Sequence, residues 1–352
     1  MKLEIRTLTP LWTGGIEAGK VDRIHETGIL GSLRWWYEAI VRGLGGEACD
    51  PSTGKCRFDS EAYGKSQADD EHQRLCDVCL VFGATGWQRQ FRMTIEDDTK
   101  PDSSVGSKVK ANRSYTDDQG KKHTPTWYFP DNNNDKPRSG NLTLQIQSLA
   151  PDFEPEVIAG LIQFIADWAA IGARAQMGFG VIELANGRVD TRPFYDWLIS
   201  VAGSETYTDL PSLRNIFLAL ISPKNGGQFN EQDTFNLKYD LRQLFASDKS
   251  LRHFIMGTVK GERMAAKVKM SRPYGNGLIR VWGWIPEVAN VYSNSWDRNA
   301  VVSAIHKHLD TNYTLQVWRE MNSTRDTVKP NTNDPRAFLR NLLAIEEEDD
   351  AA

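Results

Sequence analysis

Two βαββαβ patterns follow one another along this chain, and that repeat limits the folds open to it. Residues 2–8 alternate as a strand and end at Thr9-Pro10. Ile29, Leu30, Leu33, Trp36, Tyr37, Ile40, Val41 and Leu44 recur at helical spacing until Gly45-Gly46 stops them. Phe91, Met93 and Ile95 alternate, as do Leu142, Leu144 and Ile146. Pro155 opens a second helix that closes at Gly172, and Val181–Leu184 is the next strand. The second half repeats the order in less sequence: strand 215–221, helix 237–245, strands 266–270 and 278–285 around the turn Tyr274-Gly-Asn-Gly277, helix 296–309 and strand 312–318. The halves share pattern, not visible identity.

This order predicts an α+β protein of two tandem ferredoxin-like (βαββαβ, RRM-like) domains, with loop insertions in the first. The expected division is 1–200, 210–345 and an acidic tail at 346–352. The insertions are a Cys-rich segment at 46–80 and a polar stretch at 97–140, read as a long excursion, a hairpin or thumb anchored by Trp127-Tyr-Phe129. At 352 residues the chain is long enough for two cores. No apolar run reaches bilayer length, and the first residues already form a strand pattern. The expectation is therefore a cytoplasmic protein without a membrane partner.

All four cysteines fall in one segment, Cys49, Cys56, Cys76 and Cys79. Cys76-Asp-Val-Cys79 has the spacing of one knuckle of a tetrahedral site, and Cys49 and Cys56 complete a candidate structural zinc site. Four reduced thiols, or a CxxC redox pair, are the alternatives.

The net charge of −4 argues against binding nucleic acid by bulk charge, but local patches remain. Between Lys260 and Arg280, six Lys/Arg (260, 263, 267, 269, 272, 280) stand against Glu262. Lys267 and Lys269 share one side of a strand, with Arg280, Trp282 and Trp284 expected close by, an arrangement suited to single-stranded RNA. The tryptophans facing a core is the competing reading.

The loop Gly172-Ala-Arg-Ala-Gln-Met-Gly178-Phe-Gly180 lacks the ending of a phosphate-binding Walker loop. Its close-spaced glycines would let backbone approach a phosphate chain, with Arg174 as a contact. A plain helix stop is the alternative. Gly31 and Ser32 lie at a helix start where N–H groups could hold phosphate, and Arg34, Trp35 and Arg42 could add charge and stacking. Against that, Glu38 between two arginines describes a salt-bridged helix face. Arg89, Arg92 and Arg272 complete the RNA-binding candidates. No catalytic constellation is evident, and His25 alone is a weak candidate for a general base.

Thr9-Pro-Leu-Trp-Thr-Gly-Gly15, Glu26-Thr-Gly-Ile-Leu-Gly-Ser-Leu-Arg-Trp-Trp-Tyr37 and Leu75-Cys-Asp-Val-Cys-Leu-Val-Phe-Gly-Ala-Thr-Gly-Trp87 resemble the RAMP superfamily of CRISPR proteins. Within it they resemble subunit one of Cmr (type III-B) effector complexes, and Asn236–Arg242 and Lys267–Arg272 extend the likeness. The resemblance implies two ferredoxin-like domains and a non-catalytic, RNA-binding subunit. Such a subunit caps the filament near the 3′ end of the guide RNA, with guide RNA, target RNA and other Cmr RAMP subunits as partners and no small-molecule substrate. It maps the family's Gly-rich loop onto Gly172–Gly180 and its helix motif onto Gly31, Ser32 and Arg34. A metal-independent RAMP endoribonuclease using His25, and a protein-only scaffold, are the alternative functions.

Overall fold

The computed structural model describes residues 1–17, 21–54, 56–58, 75–103, 108–116, 119–124, 126–128, 136–258, 263–275, 277–287 and 296–346. Lys260, Glu262, Asn276, Phe129, much of the Cys-rich insertion and the acidic tail beyond Glu346 lie outside these residues.

Alternation builds two four-stranded antiparallel sheets, each flanked by helices. The first is formed by β1 (Lys2–Thr7), β2 (Phe91–Asp97), β9 (Asn141–Ser148) and β10 (Ile182–Leu184), in the order β10-β1-β9-β2. Leu3, Ile5, Phe91, Met93, Leu142, Leu144 and Ile146 turn inward onto α1 (Glu26–Gly43) and α3 (Pro155–Trp168). Lys2, Glu4, Arg92, Thr94 and Gln147 are exposed on the other side, so this sheet keeps one open, polar face. The short helix α2 (Asp77–Phe82) carries the CxxC knuckle.

The second sheet joins β11 (Ile216–Ser222), β12 (Val268–Met270), β13 (Ile279–Trp284) and β14 (Thr314–Glu320) in the order β12-β13-β11-β14. Phe217, Ala219, Ile221, Ile279 and Val281 pack under α5 (Glu231–Leu244) and α7 (Arg298–Asn312). The alternate residues Ile216, Leu218 and Trp282 belong to the first core instead. The second sheet is therefore covered on both faces. α4 (Arg192–Ser200), α6 (Lys249–Met256) and α8 (Pro335–Leu342) were not read from the sequence. They are short, and only their tertiary contacts make them stable. Phe338, Leu339 and Leu342 of α8 return to the first core, where Trp168 donates to the Leu342 carbonyl at 2.9 Å.

The polar stretch 97–140 is an outgrowth of the β2–β9 hairpin. The register pairing Asp97 with Leu142 continues as Lys100 with Ser139 and Pro101 with Arg138, in β3 (Lys100–Pro101) and β8 (Arg138–Ser139). It extends through β4 (Lys108–Lys110) with β7 (Thr126–Tyr128), and β5 (Tyr115–Thr116) with β6 (Lys122–His123). The expected anchor Trp127-Tyr-Phe129 has its side chains outside the described residues; toward its tip the ribbon is held through residues 110–115. Arg113 grips Asp240 through two hydrogen bonds of 3.1 Å, the Asn112 amide donates to Asn236 at 2.9 Å, and Tyr115 stacks on Tyr239.

Candidate nucleic-acid interface and metal centre

The Gly-rich loop is wedged between three parts of the chain. On one side the segment Pro10–Trp12 zips to it: the Gly180 amide donates to Pro10 O at 3.0 Å and the Ala173 amide to Trp12 O at 2.6 Å. The same segment pairs on its other edge with Arg138 of the ribbon, at 2.7 and 2.8 Å. From α1, the Ser32 hydroxyl accepts from the Gly172 amide at 2.9 Å. From the second half, the Arg272 amide donates to Gly178 O at 3.0 Å and the Lys238 ammonium to Gln176 O at 2.9 Å.

Rings and cations alternate through the wedge. The Arg174 guanidinium lies 3.6 Å from the Trp12 ring centre, Trp12 meets Phe179 edge-on, and Arg272 lies 4.4 Å from the Phe179 ring centre. Trp12, Phe179 and Lys238 were missed from the sequence. Trp12 lies inside the Thr9–Gly15 motif, Phe179 inside the Gly-rich loop and Lys238 inside Asn236–Arg242, which were the signals available.

The glycines act differently from expectation. A Cβ on Gly178 would lie 2.5 Å from the Arg272 amide nitrogen, and one on Gly180 only 1.9 Å from Ile171 O. Both residues are buried with φ of +90°. They admit neighbouring protein backbone, and the expected approach of phosphate to Gly178 and Gly180 is corrected accordingly. The loop's surface is Ala173–Met177, with Arg174 itself in the left-handed region at φ 59°. Gly31 is exposed, with nothing within 4 Å of where its Cβ would stand, but α1 starts at Glu26, so Gly31 and Ser32 sit in its second turn and the expected helix-start N–H groups at these two residues are corrected accordingly.

Several other expected contacts are redirected. Arg42 is buried: it donates to Cys49 O at 2.8 Å and Pro211 O at 3.2 Å, and holds Glu38. Arg272 is buried and paired with Glu231. Trp282 lies opposite Lys269 in the ladder, so both point into the seam between the halves. The Lys269 ammonium rests 4.8 Å from the Trp35 ring centre, and Arg280 donates to Ala169 O at 3.0 Å. Lys267 is half-buried 3.5 Å from the Phe254 ring centre. Burial pushes both lysines down to about 8. The basic-aromatic face read over residues 267–284 is thus an internal contact: the first half covers Lys269 and Arg280, and Phe254 of the second half covers Lys267. Arg92 remains exposed on the open face of the first sheet, and Arg89 is half-buried beside Phe91.

Lys238 has a testable signature. Burial, reinforced by Arg242, pushes its ammonium down to about 7. The folded protein then gives up this proton near neutrality, while the unfolded chain keeps it to about pH 10.4. Between those limits the unfolded state binds more protons, so stability rises with pH. Lys238→Met should flatten that rise, seen as urea midpoints at pH 7 and pH 9 that draw together.

His25 occupies the N-cap position of α1 without a side-chain capping bond, and its Nε2 lies 2.7 Å from Asp22 Oδ1. Its side chain is 13% exposed, so only a small part of the ring meets solvent.

The four cysteines do converge. Their Sγ atoms all lie within 4.8 Å of one another, with Cys49 and Cys79 3.6 Å apart. A tetrahedral zinc–thiolate site with bonds of about 2.3 Å has sulfur–sulfur edges of about 3.8 Å, so the donor set fits a metal of that kind. Two loops bring the donors together. The Asp77 amide donates to Glu47 O at 3.0 Å, the Glu47 amide to Asp77 Oδ2 at 2.7 Å, and the Phe58 amide to Thr85 O at 2.8 Å. A hydrogen bond from the Cys79 thiol, aided by the Cys49 amide, pushes the Cys76 thiol down to about 4. Burial and the Cys76 charge push Cys49 up to about 12.

Residues 4–183 match the family model of the RAMP superfamily. No curated protein matches the chain. Similar solved structures include Cmr1 from Pyrococcus furiosus in its apo form, at 12% identity over 90% of this chain and 93% of that one, with a TM-score of 0.41. A chain of the type III-B Cmr-beta complex bound to cognate target RNA and AMPPnP, in the presence of ssDNA, is 11% identical over 87% of this chain and 98% of that one (TM-score 0.43). In the same complex bound to cognate target RNA the identity is 12% over 86% and 99%, with a TM-score of 0.41.

Proposed function

The chain belongs to the RAMP superfamily, and on that premise we propose that it is a non-catalytic, RNA-binding subunit of a type III-B Cmr ribonucleoprotein. Its partners are guide RNA, target RNA and neighbouring RAMP subunits, and its place is the filament end near the guide 3′ terminus. The two strand orders support reading residues 1–200 and 210–345 as tandem ferredoxin-like domains. One observation carries the RNA reading. The Gly-rich loop is locked from three sides, so that Ala173–Met177 forms a preset surface with Arg174 on it. A loop backbone fixed in place and one arginine on it suit a phosphate chain read by shape, while base pairing reads sequence.

The four cysteines hold zinc as a structural ion in this reading. It ties the two loops of the insertion together and thereby orders them. Among the described residues no helix is long and apolar enough to cross a membrane.

The test is fluorescence anisotropy of the chain with labelled single-stranded RNA across a salt series. Arg174→Ala should weaken binding and flatten the log–log salt slope by about 0.7, the share of one phosphate contact on a single strand. An unchanged slope removes Arg174 from the interface. A gel of the same RNA addresses the second reading, which the Asp22–His25 contact favours: a metal-independent endoribonuclease. Cleavage by the wild type that His25→Ala abolishes would put that reading first.

A further inference from the structure

The thiol cluster has a cation built against it. Arg34 Nη2 donates to Cys79 Sγ at 3.1 Å, Nη1 to Gly83 O at 2.9 Å, and Nε to Glu38 at 2.9 Å. All three nitrogens of the fork are thus engaged, and the side chain is 26% exposed. A divalent ion in four thiolates carries a net charge of −2. Cys76 and Cys79 are buried, so that charge is poorly solvated and favours a nearby cation. A planar guanidinium meets the sulfur, the carbonyl and the carboxylate together, which an ammonium cannot do.

We propose that Arg34 is the outer-shell cation of the metal centre, a positioning residue that orients Cys79 and offsets the thiolate charge. This inference rests on the metal reading given above. Glu38 extends the arrangement one helical turn, accepting from Arg34 and, at 3.4 Å, from Arg42. Arg42 holds the opposite loop of the cluster through Cys49 O at 2.8 Å and Ala48 O at 3.4 Å. Arg34, Glu38 and Arg42 on one face of α1 therefore grip both thiol-bearing loops. The helix whose Ser32 holds the Gly-rich loop is also the mount of the metal module.

The experiment compares zinc-loaded wild type, Arg34→Lys and Arg34→Ala. Zinc affinity is read by competition with a chromophoric chelator, and cobalt substitution reports the thiolates by charge-transfer absorption. RNA binding is followed through a salt series. Arg34→Ala should weaken metal binding about 10–100-fold, and Arg34→Lys by less. Loss of the N–H···S bond should move the cobalt–thiolate band to lower energy, with the RNA salt slope unchanged. Wild-type metal affinity and an unmoved band in both variants overturn the role of Arg34 while leaving the metal. A salt slope flattened by about 0.7 in the metal-loaded variants returns Arg34 to the RNA surface and overturns the proposal. If the wild type takes up neither zinc nor cobalt, the metal reading fails and this inference with it. Should Arg34→Ala not fold, Arg34→Lys decides alone.

Discussion

Gly180→Ala should lower the unfolding free energy by about 3–4 kcal/mol, whereas Gly187→Ala should lower it by only about 1 kcal/mol. Both glycines have a φ of +90°, so both substitutions meet the same left-handed backbone penalty. The difference is space. Nothing lies within 4 Å of the Cβ position at Gly187, but at Gly180 it falls 1.9 Å from Ile171 O. Ile171 cannot retreat cheaply, because its own amide donates to Gly180 O at 2.9 Å and its side chain is buried. Relief must come from opening the seam between Pro10, Gly180 and Ile171, the seam that fixes the Gly-rich loop. Urea unfolding of the two variants measures this directly, and equal losses would show that the loop gives way without cost. Gly180→Ala should also weaken RNA binding, since the preset loop surface is lost with the seam.

Glu320→Ala should cost about 3–5 kcal/mol, the range for breaking a buried ion pair from one side. Its carboxylate is fully buried at the end of β14. It accepts from Arg298 at 3.0 Å, from Arg325 at 2.9 Å through two nitrogens, and from the Trp318 indole at 3.0 Å. Removing it leaves two guanidinium groups facing one another around an apolar gap. Next to it Arg319 and Asp326 pair at 3.0 Å, and His306 packs on Trp318, so the surrounding charges are fixed by the same turn. Burial raises the Glu320 carboxyl, but Arg325, Arg298 and Trp318 outweigh it and hold the group below the usual carboxylate range. A depressed folded pKa contributes stability that is complete above the unfolded value, about pH 4.3. That stability is lost as pH falls through the folded value. The gap in stability between wild type and Glu320→Ala should therefore be full at pH 7 and close as the solution is taken below about pH 4. A gap independent of pH would show that lost packing, not charge, is the source.

The element order was legible because alternation and helical spacing are local properties. Leu3 and Ile5, or Leu33, Trp36 and Tyr37, announce their faces without reference to the rest of the chain. The cysteine cluster was legible because all four cysteines fall in one short segment with a CxxC knuckle, and the structure brings the four sulfurs together. The short helices α4, α6 and α8 were not legible, since one or two turns hold no period long enough to read. The excursion at 97–140 was legible as a hairpin or thumb but its strand pairing was not, because that pairing is a register continued from β2 and β9 and its polar residues carry no alternation of their own.

Where the sequence went astray, it failed on partners. Lys269, Arg280 and Trp282 do share a side of the sheet, as their spacing said, but spacing cannot say whether that side meets water or the other half of the chain. Arg34 and Arg42 have the charge of phosphate ligands, yet their donors go to a sulfur and to backbone carbonyls of distant loops. Gly178 and Gly180 have the freedom of a phosphate loop, yet Arg272 and Ile171 occupy the space that freedom leaves. By itself the sequence determined the periodic elements, their order and the gathering of the thiols, because those rest on neighbours a few residues apart. The tertiary structure alone decided which faces are covered and which cations are engaged. Burial and hydrogen-bond partners depend on contacts between residues that can stand more than a hundred positions apart, such as Ser32 with Gly172 and Arg42 with Pro211.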